Sequence, residues 1–221
     1  MMSKSNTMHK LHLIGLSLLL FSCDRNPEID SGRLLPAAAV DYTRLQVGNY
    51  WIYEVYENDG KGNLTFYKGL DSTYVEKDTM IGGLVYKKFV EQYDTSKAVS
   101  YLRTVSHYLT NPLGDILFSS EDFKTIFATE YKTVNGKPGY SVTYQMSARD
   151  TLTSTPAGVF TTSDFRLKYT ISPLAAKGSD TVKYAFVKYA KGAGMVFKTI
   201  GIYIDRNQTV EKRLLRYSLK K

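Results

Sequence analysis

The chain of 221 residues carries 29 Lys and Arg against 21 Asp and Glu, a formal net charge of +8, with one cysteine and three histidines. A lone thiol excludes a disulfide framework, and a chain whose histidines are His9, His12 and His107 cannot assemble a His-rich or Cys/His zinc site. A Ser-His-Asp triad would have to use His107, and no G-x-S-x-G element accompanies it, so His107 reads as a structural polar residue ahead of a catalytic one.

In chain order, Lys4 and Lys10 give a positive start, Leu11 to Phe21 an apolar run, Ser22 a small residue and Cys23 the only thiol. The run is well short of the roughly 20 apolar residues a spanning helix needs. Its layout is that of a signal peptide. With Leu20-Phe21-Ser22-Cys23 at its end, the segment resembles a bacterial lipoprotein signal. The resemblance implies cleavage before Cys23, a thioether-linked diacylglycerol on that sulfur and acylation of the new amino group. Residues 1–22 are therefore expected to be a signal peptide, and 23–41 a lipidated cysteine with a flexible tether. A tether of this length holds a domain about 20 to 25 Å from the lipid. The expected location is the cell envelope, anchored at the outer membrane, with the membrane itself as first partner.

From Asn49 onward the pattern is alternation of apolar and polar residues, rich in β-branched and aromatic side chains. Strands are expected at 49–56, 64–77, 84–93, 98–109, 140–146, 159–171, 181–190, 195–204 and 210–219, and short links between them imply antiparallel pairing. Turn chemistry separates them: the glycine-rich Asn58 to Asn63 loop, Ile81-Gly82-Gly83-Leu84, Gly136-Lys137-Pro138-Gly139 ending a strand, and Thr155-Pro156-Ala157-Gly158 with Pro and Gly placed for a type I turn. Ser119 and Ser120 followed by Glu121 and Asp122, with Phe123, Ile126 and Phe127 at helical spacing, predict one short helix covering an open end or face of the sheet. The fold class is all-β with one short helix: a single antiparallel domain over 42–221, curved as a meander, barrel-like or half-barrel.

Eighteen tyrosines are the most unusual feature of the composition. Aromatic residues suit strands for structural reasons, but Tyr rings can also offer apolar faces and hydroxyl tips to an amphipathic ligand or sugar. Trp51 and Tyr53, which share a strand face with Val55, are the candidate ligand-binding pair. Asn58 to Asn63 gathers oxygen-bearing side chains but lacks the helical flanks and position-12 Glu of an EF-hand, so no metal site is expected. No catalytic residue and no cofactor are expected either. Asp71-Ser72-Thr73, Asp78-Thr79-Met80, Asp150-Thr151-Leu152 and Asp180-Thr181-Val182 resemble the Asp-Ser/Thr-aliphatic acceptor of a bacterial O-glycosylation system for exported proteins, which makes Ser72, Thr79, Thr151 and Thr181 candidate acceptors wherever they are exposed. From Arg166 to the end, thirteen Lys and Arg face three Asp and Glu, against fourteen and eighteen between Cys23 and Asp164. Those basic strands could meet an anionic lipid, glycan or protein, or could simply be solvated faces that discourage edge pairing; nucleic acid is not expected for an exported chain.

Val47-Gly48-Asn49-Tyr50-Trp51, Thr155-Pro156-Ala157-Gly158-Val159-Phe160 and Tyr189-Ala190-Lys191-Gly192-Ala193-Gly194-Met195-Val196 together resemble elements of bacterial envelope lipoproteins of antiparallel β structure with no assigned reaction. The resemblance implies fold and location and carries over no activity. The expected function is a lipid-anchored, non-enzymatic envelope protein that binds an amphipathic molecule, glycan or partner protein; the alternative is a structural subunit of an outer-membrane or cell-surface assembly with no small-molecule ligand.

Overall fold

The computed structural model describes residues 39–93, 96–134, 136–178 and 180–220, apart from the side chains of Val40 and Lys68. The signal over 1–22, the lipidation residue Cys23 and the tether up to residue 38 lie outside the described residues. A first arm holds β1 (Tyr50–Asn58), β2 (Leu64–Ile81), β3 (Leu84–Tyr93), β4 (Ser96–Val105), β5 (Tyr108–Thr110) and β6 (Ile116–Ser119). A second holds β7 (Ala128–Val134), β8 (Lys137–Thr155), β9 (Gly158–Ile171), β10 (Val182–Ala190), β11 (Gly194–Ile202) and β12 (Thr209–Ser218). The described residues also form two single-turn helices, α1 (Ala39–Thr43) and α2 (Pro173–Ala176).

All twelve strands form one antiparallel sheet in the order β6-β5-β4-β3-β2-β1-β12-β11-β10-β9-β8-β7. The chain thus starts at the centre, meanders out to one edge, crosses to the other edge and meanders back until β12 pairs with β1. That crossing forces the shape. Eleven strand spacings of about 4.8 Å put the edges of a flat sheet roughly 53 Å apart, whereas the eight residues between Ser119 and Ala128 reach no more than about 31 Å fully extended. The sheet curls into a half-barrel. Glu91 on β3 consequently touches Lys212 on β12 although β2 and β1 lie between them in the sheet.

The eight-residue crossing is where a helix was expected, and none forms. Ser119 Oγ accepts from the N–H groups of Glu121 and Asp122 at 3.1 and 2.8 Å, and Asp122 Oδ1 accepts from Lys124 and Thr125 at 3.1 and 3.0 Å. Two successive side-chain turns thereby take the donors that a helix would use, a competition in which Ser and Asp commonly prevail. Phe123 and Phe127 of the crossing pack against the core, whereas Ile126 is exposed. Phe127 stacks on Phe165 and meets Tyr108 edge-on, while Phe118 packs on Tyr189 from the opposite arm.

The strand pattern holds with four additions. β5, β6 and β7 separate out as short strands, and β8 runs on to Thr155 rather than stopping at Met146. His107 sits in the turn between β4 and β5 beside Ser106, which adopts φ 53°. Gly136-Lys137-Pro138-Gly139 follows the end of β7 at Val134, as expected, and its last three residues open β8. Ala39, within the stretch assigned to the tether, is buried and donates its N–H to Ser106 O at 3.2 Å.

Candidate functional site

The half-barrel has two ends. The α1 end gathers Asn49, the β8–β9 turn, the β10–β11 turn and the Ser119–Ala128 crossing; the α2 end gathers the β7–β8 turn, α2 and the β11–β12 loop.

Trp51 and Tyr53, the expected ligand pair, belong to the core of the α1 end. Alternation along β1 buries Trp51, Tyr53 and Val55 on one face, as their spacing implies, but α1 and the opposite arm cover that face. Trp51 is 1% exposed and Tyr53 0%. Trp51 Nε1 donates to Ala193 O at 2.6 Å and Tyr53 OH to Met195 O at 2.9 Å. The space remaining among Trp51, Tyr53, Phe89, Leu109 and Met195 is about 10 Å³, room for no more than about one water. Neither ring is offered to a ligand. Gly194 makes this packing possible, since a Cβ there would stand 2.7 Å from Trp51 Nε1. Asn49 closes the same end: its amide donates to Arg44 O at 2.7 Å and its side-chain oxygen accepts from Lys220 N at 2.6 Å. Ala157 N, in the Thr155–Gly158 turn, donates to Leu214 O at 2.9 Å. The three short elements noted in the sequence therefore meet as fastenings of one end.

Midway along the bore, the inner face turns ionic. Glu91 accepts from Lys212 at 2.7 Å and from Lys198 at 3.0 Å, and Lys212, fully buried, also lies over the rings of Tyr53 and Tyr93 at 4.9 and 5.0 Å. Burial alone would push the Glu91 carboxyl up, but the two ammonium groups and their hydrogen bonds override it and hold the group at about 2. Lys212 moves down, because its loss of water outweighs the attraction of Glu91. The pair thus gains less than the carboxyl's shift alone suggests, and its role is to fix the curl between β3 and β12. A second buried carboxylate, Asp164, accepts from Thr151 and Thr162 at 2.9 and 2.8 Å and pairs with Lys188 at 2.9 Å. The basic excess of the last strands is in part internal for these reasons: Lys183, Lys188, Lys198, Lys212 and Arg213 all bind oxygen atoms within the fold.

The other expected positions distribute as follows. Among the candidate acceptors, Thr181 is exposed, Ser72 and Thr79 are half-buried on β2, and the Thr151 hydroxyl is engaged with Thr162 and Asp164. In the Asn58–Asn63 loop the side-chain oxygens turn to the loop's own backbone: Asn58 Oδ1 accepts from Gly60 N, and Asp59 Oδ1 from Lys61 N and Asn63 N. Among the described residues no group of three His, Cys, Asp or Glu stands ready for a metal ion.

A cleft of about 350 Å³ opens beside α1, lined by Tyr42, Asp150, Phe160 and Lys191, and two roomier ones lie at the α2 end. One cleft of about 530 Å³ is walled by Tyr131, Pro138, Tyr140, Ile171 and Pro173, with Lys132 at its rim. Another of about 580 Å³ is lined by Lys137, Pro138, Leu174, Lys177, Tyr203 and Asp205. They share Pro138 and Ser172. The walls are locally fixed. Ser172 N donates to Gly139 O at 2.8 Å, Ser172 Oγ caps α2 by accepting from Ala175 N, and Pro173 supplies the fixed φ a helix start favours. Lys183 Nζ donates to the carbonyls of Tyr203 and Arg206 at 2.7 and 2.6 Å, pinning the β11–β12 loop, and the Arg206 guanidinium lies over the Tyr203 ring at 3.9 Å. Volumes of this order suit small molecules, and Tyr, Pro and Leu walls with a few cations suit a ligand with both apolar and polar parts. No spacing in the sequence marks these clefts, because they assemble from three turns far apart in the chain.

No protein-family profile matches the chain, and no curated protein matches it. Among solved structures it is similar to a Bacteroides fragilis protein, inferred to be exported and having a YmcC-like fold, with 12% identity over 82% of this chain and 100% of that one at a TM-score of 0.49. It is also similar to an inferred lipoprotein from Parabacteroides distasonis, with 12% identity over 80% and 97% of the two chains at a TM-score of 0.43. At such identities and scores neither likeness bears on function.

Proposed function

We propose that this chain is a lipid-anchored, non-enzymatic protein of the bacterial cell envelope, held at the outer membrane through Cys23, whose β domain binds an amphipathic molecule or glycan at the α2 end. The carrying observation is the pair of clefts sharing Pro138 and Ser172, with Tyr131, Tyr140 and Tyr203 turned to them rather than to the core. Sugar rings and acyl chains both pack on such aromatic faces, while Lys137, with Lys132 and Lys177 beside their partners Glu130 and Asp205, offers hydrogen-bond donors to a ligand's polar part. The anchor reading rests on the apolar run that ends at Cys23. Two experiments test the two parts. Intact-mass measurement of the protein from bacterial membranes should find cleavage before Cys23 and acyl chains on it; an unmodified thiol would overturn the anchor. Native mass spectrometry of the same material, freed of detergent in the gas phase, should retain a bound small molecule. A bare protein mass would overturn the binding reading.

A further inference from the structure

The two edges of the sheet are treated differently. β6 is four residues long, with Phe118 fully buried and Ser119 N captured by the Met146 sulfur at 3.3 Å. β7 is seven residues long, pairs only with β8, is exposed from Ala128 to Thr133 and carries Tyr131 at 81% exposure. A strand with one side unpaired is a template for another strand, unless its side chains prevent it.

We infer that β7 is the pairing edge for a second copy of this chain, joined antiparallel about a two-fold axis through Tyr131. The sequence Thr129-Glu130-Tyr131-Lys132-Thr133 is self-complementary when read against its own reverse. A two-fold axis at Tyr131 sets Glu130 opposite Lys132 of the other copy, and Lys132 opposite its Glu130. Tyr131 then faces Tyr131, and Thr129 faces Thr133. Residues opposite one another across antiparallel strands share a face, so both charge pairs fall on the Glu130 and Lys132 side while both tyrosines stack on the other. Neighbouring registers fail by charge. An axis at Glu130 sets Glu130 against Glu130, and one at Lys132 sets Lys132 against Lys132, arrangements that like charges disfavour. The same charges that would deter unrelated strands therefore select one partner and one register. Within a single copy Glu130 and Lys132 already pair at 2.8 Å, with side chains about half exposed. Such an exposed bridge is weak and can be exchanged for intermolecular ones. The interface is isologous and closes on itself, giving a dimer rather than a fibre. Tyr131, Lys132 and Thr133 also border one of the clefts, but the pairing needs no ligand there and its tests read dimerisation alone.

Charge exchange tests it. Analytical ultracentrifugation of the chain in detergent micelles, over a concentration series, should show a monomer–dimer equilibrium. Glu130→Lys and Lys132→Glu should each weaken dimerisation about tenfold, and the double variant carrying both should return it to near the wild-type value, because the pairs are restored in reverse. Tyr131→Cys should form a disulfide-linked dimer under mild oxidation, since opposed residues lie within disulfide reach, while Thr129→Cys should not. Monomer at every concentration, failure of the double variant to recover, or equal cross-linking at positions 129 and 131 would each overturn the inference.

Discussion

The aromatic residues at the two ends of the half-barrel sit in opposite surroundings, closed at one end and open at the other. At the α1 end the Trp51 and Tyr53 donors are satisfied by Ala193 O and Met195 O, so the rings are locked into a space with no room for a guest. At the α2 end Tyr131, Tyr140 and Tyr203 line clefts of several hundred Å³. A buried tyrosine with an internal partner is a fastening, whereas one at the wall of a cleft keeps a face open, where the proposed ligand would sit. The ionic group at Glu91 lies between them and holds the two arms in register.

The comparison can be broken most severely at that group. Glu91→Ala leaves Lys212 buried without its carboxylate, and loss of about 3 to 5 kcal/mol is expected in urea unfolding. Acid titrates the same contact. The Glu91 carboxyl falls from an ordinary 4.5 to about 2 in the fold, so the stability it lends is complete above about 4.5 and is lost as pH falls towards about 2. Stability curves of the wild-type chain should decline through that window, and Glu91→Gln should lack that part of the decline.

A smaller break targets the α1 end. Gly194 adopts φ +94°, and an added Cβ meets the Trp51 ring. Gly194→Ala is expected to cost about 2 to 4 kcal/mol through strain and overpacking. Its signature is a red shift of the fluorescence of Trp51, the only tryptophan. Asn49→Ala strands the Arg44 carbonyl and the Lys220 N–H, and about 2 kcal/mol should be lost in thermal or urea melts. Tyr140→Ala and Tyr203→Ala lie at the end of this series. Both residues line open clefts, and their replacement should change stability by no more than about 0.5 kcal/mol.

The legible part of this molecule was local. Period-two alternation marked most strands, and Pro156, Gly158, Gly82 and Gly83 marked their turns, because both signals arise from a few adjacent residues. Burial of Trp51, Tyr53 and Val55 on one face followed from the same alternation; that this face would be covered did not, since α1 and the opposite arm arrive from elsewhere in the chain. β7 escaped notice because an edge strand exposed almost throughout shows no apolar face. The β8 extension, Ser147 to Thr155, is nearly all polar and is held by pairing with β9 and by the Thr151, Thr153 and Thr162 hydroxyls around Asp164. The helix expected near Phe123 was a periodicity contradicted by side chains, Ser119 and Asp122, that bind the backbone first. Basic residues after Arg166 suggested a charged surface, but the sequence could not say that Lys212 and Lys198 turn inward to Glu91, which lies more than a hundred residues earlier.

The division of labour between the two ends is tested most directly by the occupancy of a co-purifying small molecule, measured by native mass spectrometry on protein taken from bacterial membranes. The account predicts a ligand on the wild-type chain that is lost from the Tyr140→Ala/Tyr203→Ala double variant while its melting temperature stays unchanged. Full occupancy in that variant, or no ligand on the wild-type chain, would contradict it.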